Sequence, residues 1–440
     1  MRSNAAIHRF RPSAGDSNHY HIATALPFFN PTCALLTPDF ARLHTEGTPS
    51  SALAAPHDPS QSDHSKWLSP AIAYKWTSRN NRKGRHALSI NPNRMPPESR
   101  HLAPHATTSL RKTAWGIWRM ATVCPIWDIS YDVATIFTLG SVVWVVNAFF
   151  VWLPLVQPGT EFKDEELYGG GITAFVGATI FMAGSILLVA EAVNEDRSGC
   201  FGWALERALS HESAKGSGSG WHLRPSESEC AHHHLNKSNL LGRGNSTESL
   251  PDPEASPKST GRAWIWCPSI KDLRTHYIRE LGFLASFTQL AAATIFWVSG
   301  FTALPGIYDN MSRPVTIILY WTPQVIGGSG FILSGALFML ETQSRWYKPA
   351  FKTLGWWVGA WNLVGGIGFT LCPAFGYDES SWAQYQACLS TFWGSWAFWI
   401  GSCLQWYESL EKWPVEINTN SSSSSEESIE SVGKEGVREG

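Results

Sequence analysis

The chain has 440 residues and a formal net charge of −2. Length alone would allow two or three soluble domains, but the apolar residues sit in long uncharged runs, which excludes a chain built only of such domains. The near-balanced charge selects no partner class, and no nucleic-acid partner is expected.

Residues 1–110 are rich in Pro, Ser, His, Asn and Arg without periodicity. They offer too little apolar surface to offset ordering entropy, so a disordered amino-terminal tail is expected. Its start lacks the apolar core of a secretory signal. Being Arg-rich and poor in acids, it loosely suits a mitochondrial transit peptide. The stretch "RKTAWGIWRM" from Arg111 can lie at a membrane interface as a short anchor.

Six apolar segments follow, each close to the roughly 20 residues that cross a hydrocarbon core. They are about 133–156, 171–193, 281–304, 323–340, 354–375 and 387–407. Thr322-Pro323 reads as the N-cap and first residue of the fourth, with 315–321 as an interfacial or kinked extension. Twenty-three tryptophans, nearly all between Trp115 and Trp413, fit helix ends anchored at headgroup level.

The expected domains are therefore an interfacial segment and first hairpin (111–194), a flexible cytosolic loop (195–278), two further hairpins (279–414) and a disordered acidic tail (415–440). Basic residues collect on one side of the segments: Arg111, Lys112, Arg119, Arg197, Arg207, Lys271, Arg274, Arg279, Arg345, Lys348 and Lys352. The opposite loops, "EFKDEELY" and "DES", are acidic. Both termini are expected on the cytosolic side.

The even-numbered segments align on terminal glutamates: Glu191, Glu341 and Glu408. Fourteen residues before each lies Gly177, Gly327 or Gly394. Ten before each lies Phe181, Phe331 or Phe398. Small pairs sit seven and six before each, led by Gly184, Ser334 and Gly401. Leu187, Leu337 and Leu404 lie four before. This pattern predicts three helical hairpin repeats in parallel sense. At about 100° per residue these positions fall in one sector of a helix. Small residues there let backbones approach closely, so the stripe reads as a helix-packing face. The same spacing also allows three glutamates to ring a cytosolic mouth that attracts cations.

"GGSGFILSGALFMLETQSRWYKPA", "LGWWVGAWNLVGGIGFTLC" and "STFWGSWAFWIGSCLQWYESL" resemble multi-pass integral membrane proteins of filamentous fungi. The Gly-Ser pairs with Phe and a terminal Glu are also similar to the YrhK-like two-helix membrane unit. These likenesses imply a membrane assignment and carry no activity, cofactor or catalytic residue.

The centres of the segments hold no Asp, Glu, Lys, Arg or His, which counts against a proton-coupled carrier. Asn147, Gln324 and Asn362 are polar intramembrane candidates, read first as interhelical hydrogen-bonding groups. Gln324, beside Pro323 and Gly327-Gly328, could instead line a site in a broken helix. Cys372 and Cys388 flank one outer loop and are read as free thiols or a disulfide. "CAHHHLNK" (230–237) could take a metal through imidazole but lacks a second ligand pair. No catalytic motif is present, and no cofactor or metal is expected. The sequence thus predicts an all-α, six-helix membrane protein. Its partners are the lipid bilayer and, through the loop and tails, cytosolic proteins. Its role is read as structural or regulatory, with a channel or facilitator for small solutes or cations as the alternative.

Overall fold

A computed structural model describes residues 21–36, 72–95, 97, 106–195, 197–202, 205 and 264–417. The described residues are mostly helical. In chain order the elements are strands β1 (His21–Ala23), β2 (Cys33–Leu36) and β3 (Ile72–Thr77), the short helix α1 (Ser78–Arg82) and strand β4 (Ala87–Ile90). Helices α2 (Leu110–Thr122), α3 (Ile129–Val156), α4 (Gly171–Val193) and α5 (Ile270–Thr275) follow. Then come α6 (Leu281–Thr302), α7 (Thr322–Glu341), α8 (Leu354–Gly376), α9 (Ser381–Leu410) and strand β5 (Val415–Ile417).

Five helical runs are long and apolar enough to cross a membrane: Ile129–Val156, Glu165–Val193, Leu281–Thr302, Arg313–Glu341 and Leu354–Gly376. Helix α9 has 30 residues but carries Gln384, Gln386, Gln405 and Glu408, and it is not among them. The six long helices form a closed ring. Each packs chiefly on the one before and the one after, and α9 returns to α3. Outward-facing Leu139, Val142, Val146, Ile186, Phe287, Val298, Ile326 and Leu333 are exposed. Such a continuous apolar belt is costly in water and suits lipid.

Aromatic rings fill the inside of the ring. Trp144 meets Phe296 and Phe369 edge-on at 5.7 and 4.9 Å between centroids. Phe398 meets Phe181, Phe331 and Phe369 at 5.5, 6.0 and 5.2 Å. The gap between Trp144, Phe181, Phe296, Phe331 and Phe369 has no room for a water-sized sphere.

Pro323 does not end the fourth run. Helix α7 continues backward through a π-helical turn (Ile317–Trp321) to Arg313. Proline cannot donate to the carbonyl four residues earlier. That carbonyl, on Leu319, accepts instead from Thr302 Oγ1 at 3.1 Å, and Thr322 Oγ1 donates to Ile317 O at 2.8 Å. The interfacial reading of 315–321 is corrected accordingly: side chains satisfy the freed backbone, so the helix runs on.

The expected disorder of the termini and loop is corrected in part. β1 to β4 and β5 form one five-stranded sheet, antiparallel except for the parallel β4–β5 pair. It joins the segments before α2 to the segment after α9, with Ile90, Met95 and Val415 as a small buried core. Both borders of the 195–278 loop are ordered as well. Phe201, Trp264 and Trp266 pack together, and Asn194 exchanges hydrogen bonds with the Ile265 backbone at 2.8 Å. The histidine run at 230–237 and the acidic tail after 417 lie outside the described residues.

Helices α7 and α8 touch backbone to backbone. A Cβ on Gly335 would sit 2.6 Å from Leu363 N, and one on Gly366 would sit 2.7 Å from Ile332 N. Because backbone cannot step aside, Gly335→Val and Gly366→Val should each destabilise the bundle by about 1–3 kcal/mol or more. Gly159, with open space around it, is the control. Thermal melts of the detergent-solubilised chain should show both drops and leave Gly159→Ala unchanged. Equal melting of all three would contradict the close seam.

Candidate functional site: a buried arginine–glutamate cluster

The three helix-end glutamates converge. Glu191, Glu341 and Glu408 are each 0% exposed and lie where α4, α7 and α9 finish. Carboxylates buried this deeply need counter-charges and hydrogen bonds. Both come from α1 and the turn after it, "SRNNRKGR", within the stretch expected to be disordered.

Arg82 bridges two of the carboxylates. Its Nη1 donates to Glu191 Oε2 at 2.7 Å, while Nη2 and Nε donate to Glu341 at 2.9 and 3.1 Å. Arg79 forks onto Glu408, with Nη2 at 2.6 Å and Nε at 3.0 Å, and its Nη1 lies 4.0 Å from Glu341. Arg85 Nη1 adds a 3.0 Å bond to Glu408, and Lys83 Nζ reaches Glu191 at 3.3 Å. The paired guanidinium geometry is the strong form of this interaction. Arg82 also lies over the Phe338 ring, 5.2 Å from its centroid.

Local chemistry holds the basic turn in place. Thr77 Oγ1 caps α1 by accepting from Asn80 N at 3.0 Å. Gly84 takes a positive φ of 58°, which turns the chain out after Lys83 and favours glycine. Lys83 O then accepts from Ser198 Oγ at 3.0 Å and Lys412 Nζ at 2.9 Å. The backbone N–H of His86 donates to Lys412 O at 2.8 Å, so the carboxy-terminal segment grips the same turn.

The odd-numbered segments make room for the cluster at their second helical residue. Ser130 of α3 donates to Glu191 Oε1 at 2.5 Å. Gly282 of α6 lies where a Cβ would strike Glu341, and Gly355 of α8 where one would strike Arg79. Counted from those helix starts, further positions correspond without gaps: Tyr131, Phe283 and Trp356, then Val133, Ala285 and Val358, then Trp144, Phe296 and Phe369, all buried.

The predicted packing face is buried as a set. Phe181, Phe331 and Phe398 are 4, 2 and 2% exposed and meet around the axis. Gly177, Gly327 and Gly394 lie against Trp144, Phe296 and Phe369, the aromatic residues of the preceding helices. Gly184 lies against Phe137, Gly401 against Trp361, and Ser334 Oγ donates to Ala285 O at 2.8 Å. The polar candidates make hydrogen bonds. Gln324 Nε2 donates to Ser299 Oγ at 2.8 Å, Asn147 Nδ2 to Gly170 O at 2.6 Å, and Asn362 Nδ2 to Val358 O of its own helix at 2.8 Å. Cys372 and Cys388 are free thiols, which corrects the disulfide option.

The cluster sets four cations against three carboxylates. For Arg82, burial pulls the guanidinium pKa down, but Glu341 and Glu191 outweigh it and hold the group firmly charged. For Arg85, burial dominates and lowers it. For Lys83, burial dominates and Glu191 only partly opposes it, leaving the ammonium at about 8. The helix ends add to the attraction, since three C-termini point partial negative charge at α1. Sequence reasoning missed these residues because "RNNRKGR" has no periodicity. Its signal was complementarity: three apolar helices ending in carboxylates imply basic partners elsewhere in the chain. No family model, curated protein or solved structure matches this chain.

Arg82→Ala leaves Glu191 and Glu341 buried without their main partner and should cost about 3–5 kcal/mol. A melt that falls by less than the loss from a surface Arg→Ala would contradict its bridging role. Lys83 behaves oppositely. Below about pH 8 both folded and unfolded chains carry its charge, so the burial penalty is fully felt. Between about 8 and the ordinary 10.5, only the unfolded chain keeps the proton, so stability rises with pH. Lys83→Met should therefore melt higher than wild type at pH 7, by up to about 3 kcal/mol. That gap should shrink as pH rises to 10. A gap that stays constant across this range would show that Lys83 does not titrate there.

Proposed function

We propose that the protein is a multi-pass integral membrane component with a structural or regulatory role, not an enzyme. In this reading all six long helices cross the bilayer as three hairpins of parallel sense, related as internal repeats. The amino-terminal segment and β5 cap the bundle at its cytosolic end, and the loop and tails face cytosolic protein partners. The observation that carries the reading is the saturation of the three glutamates by Arg79, Arg82, Lys83 and Arg85. A mouth that attracts external cations would need carboxylates free to meet them. These are taken by the chain's own cations, and the aromatic axis behind them leaves no space for water.

Charge distribution supports the orientation. Arg345, Lys348 and Lys352 lie between α7 and α8, at the end of the bundle that carries the cap, while Glu161, Asp164, Glu165 and Glu166 precede α4 at the other end. Helix α2 supports it too. It packs beside α9 at the capped end and exposes Trp115, Ile117 and Trp118 next to Arg111, Lys112 and Arg119, as a surface-lying anchor does.

Liposomes containing the purified full-length chain should show no cation or small-solute flux above protein-free vesicles, and a tag at Gly440 should be cleaved only by protease on the cytosolic side of native membranes. Selective flux through the wild-type protein would overturn the closed reading and favour a channel. Cleavage only from the opposite side would overturn the orientation.

A further inference from the structure

A second buried polar cluster lies beside the cap and takes no part in the arginine–glutamate network. Glu195, just after α4, meets His276 and Glu280, which lie between α5 and α6. One ligating atom from each falls within 4.8 Å of the others. The three residues are 7, 8 and 3% exposed.

The imidazole is the informative group. His276 Nε2 points at Glu195 Oε1 from 3.6 Å, beyond hydrogen-bond range. Among the described residues, neither ring nitrogen has a hydrogen-bond partner. An unpartnered polar group buried this deeply is costly, and native structures rarely keep one without a reason. Asn81 Oδ1 is a further buried polar atom without a hydrogen-bond partner, on a side chain whose Nδ2 donates to Glu195 Oε2 at 3.0 Å.

The carboxylates are already oriented. Asn30 Nδ2 donates to Glu280 Oε1 at 2.5 Å, and Ser78 Oγ to Glu280 Oε2 at 3.5 Å. Hydrogen bonds of this kind fix metal-ligating carboxylates in place.

We propose that Glu195, His276 and Glu280 bind a divalent first-row transition-metal ion, with Zn²⁺ the best match. Two carboxylates and a neutral imidazole bring two negative charges to a dication. One nitrogen and two oxygen donors suit zinc, which takes four ligands and accepts both donor types. Mg²⁺ and Ca²⁺ need six or more oxygens and are poorly served here. Three protein groups leave a position for water or the Asn81 amide oxygen. The ligands belong to the bundle, whereas Asn30, Ser78 and Asn81 belong to the cap. Metal binding therefore ties the seating of the cap to the ion. The proposal stands on this cluster alone, independently of the closed-bundle reading.

The test uses the full-length chain in detergent, stripped with a chelator, with His232, His233 and His234 changed to Ala to silence the loop histidines. Calorimetric titration with Zn²⁺ should give one equivalent of binding that excess Mg²⁺ does not displace. His276→Gln should weaken it at least about tenfold. The zinc-loaded wild-type ligand set should show only nitrogen and oxygen neighbours at about 2.0–2.1 Å by X-ray absorption. This second measurement decides the matter if His276→Gln does not fold. Absence of stoichiometric binding, undiminished binding by folded His276→Gln, or sulfur in the zinc shell would each overturn the proposal.

Discussion

Three carboxylates buried at one end of a helical ring cannot stand alone, and the placement of the amino-terminal segment follows from that constraint. An unpaired buried carboxylate costs several kcal/mol. Two arginines remove that cost while satisfying most of the carboxylate oxygens: Arg82 spans the ends of α4 and α7, and Arg79 holds the end of α9. The arginines must arrive on a rigid support, and strands β3 and β4 on either side of α1 supply it. β5 extends the same sheet from the far end of the chain. One electrostatic requirement thus joins α1 and β5 to the helical bundle between them.

Much of the bundle was legible in the sequence because lipid leaves few alternatives. Long uncharged runs marked the six helices, missing the early starts of the fourth at Arg313 and the sixth at Ser381, and the Gly, Phe, small-residue and Glu columns marked the buried face. Other features were hidden for identifiable reasons. Pro323 looked like a helix start because a proline removes a hydrogen bond. Only the structure shows Thr302 and Thr322 supplying the replacements. The strands were hidden because each is short and two of the four pairings join segments distant in sequence, as Leu88 pairs with Val415. The basic turn had no periodicity to detect. Its meaning lay in its match to Glu191, Glu341 and Glu408, which sequence proximity does not reveal.

The two polar clusters beside the cap differ in kind. The arginine–glutamate cluster is saturated: its acceptors and donors meet one another, and burial loosens the proton of its cation Lys83. Among the described residues, the Glu195–His276–Glu280 cluster leaves its imidazole without a hydrogen-bond partner. The first is suited to holding a shape, the second to receiving something. Because Asn81 lies between Arg79 and Arg82 in sequence and donates to Glu195, the two are mechanically linked through α1.

The central claim is that Arg79 and Glu408 are mutually dependent and that the cap is seated by such pairs. A double-mutant cycle of Arg79→Met and Glu408→Gln, read by thermal or denaturant unfolding, tests it most directly. The expected result is strong coupling of about 1–3 kcal/mol, with the double variant more stable than the sum of the single losses implies. Losses that simply add would contradict the account.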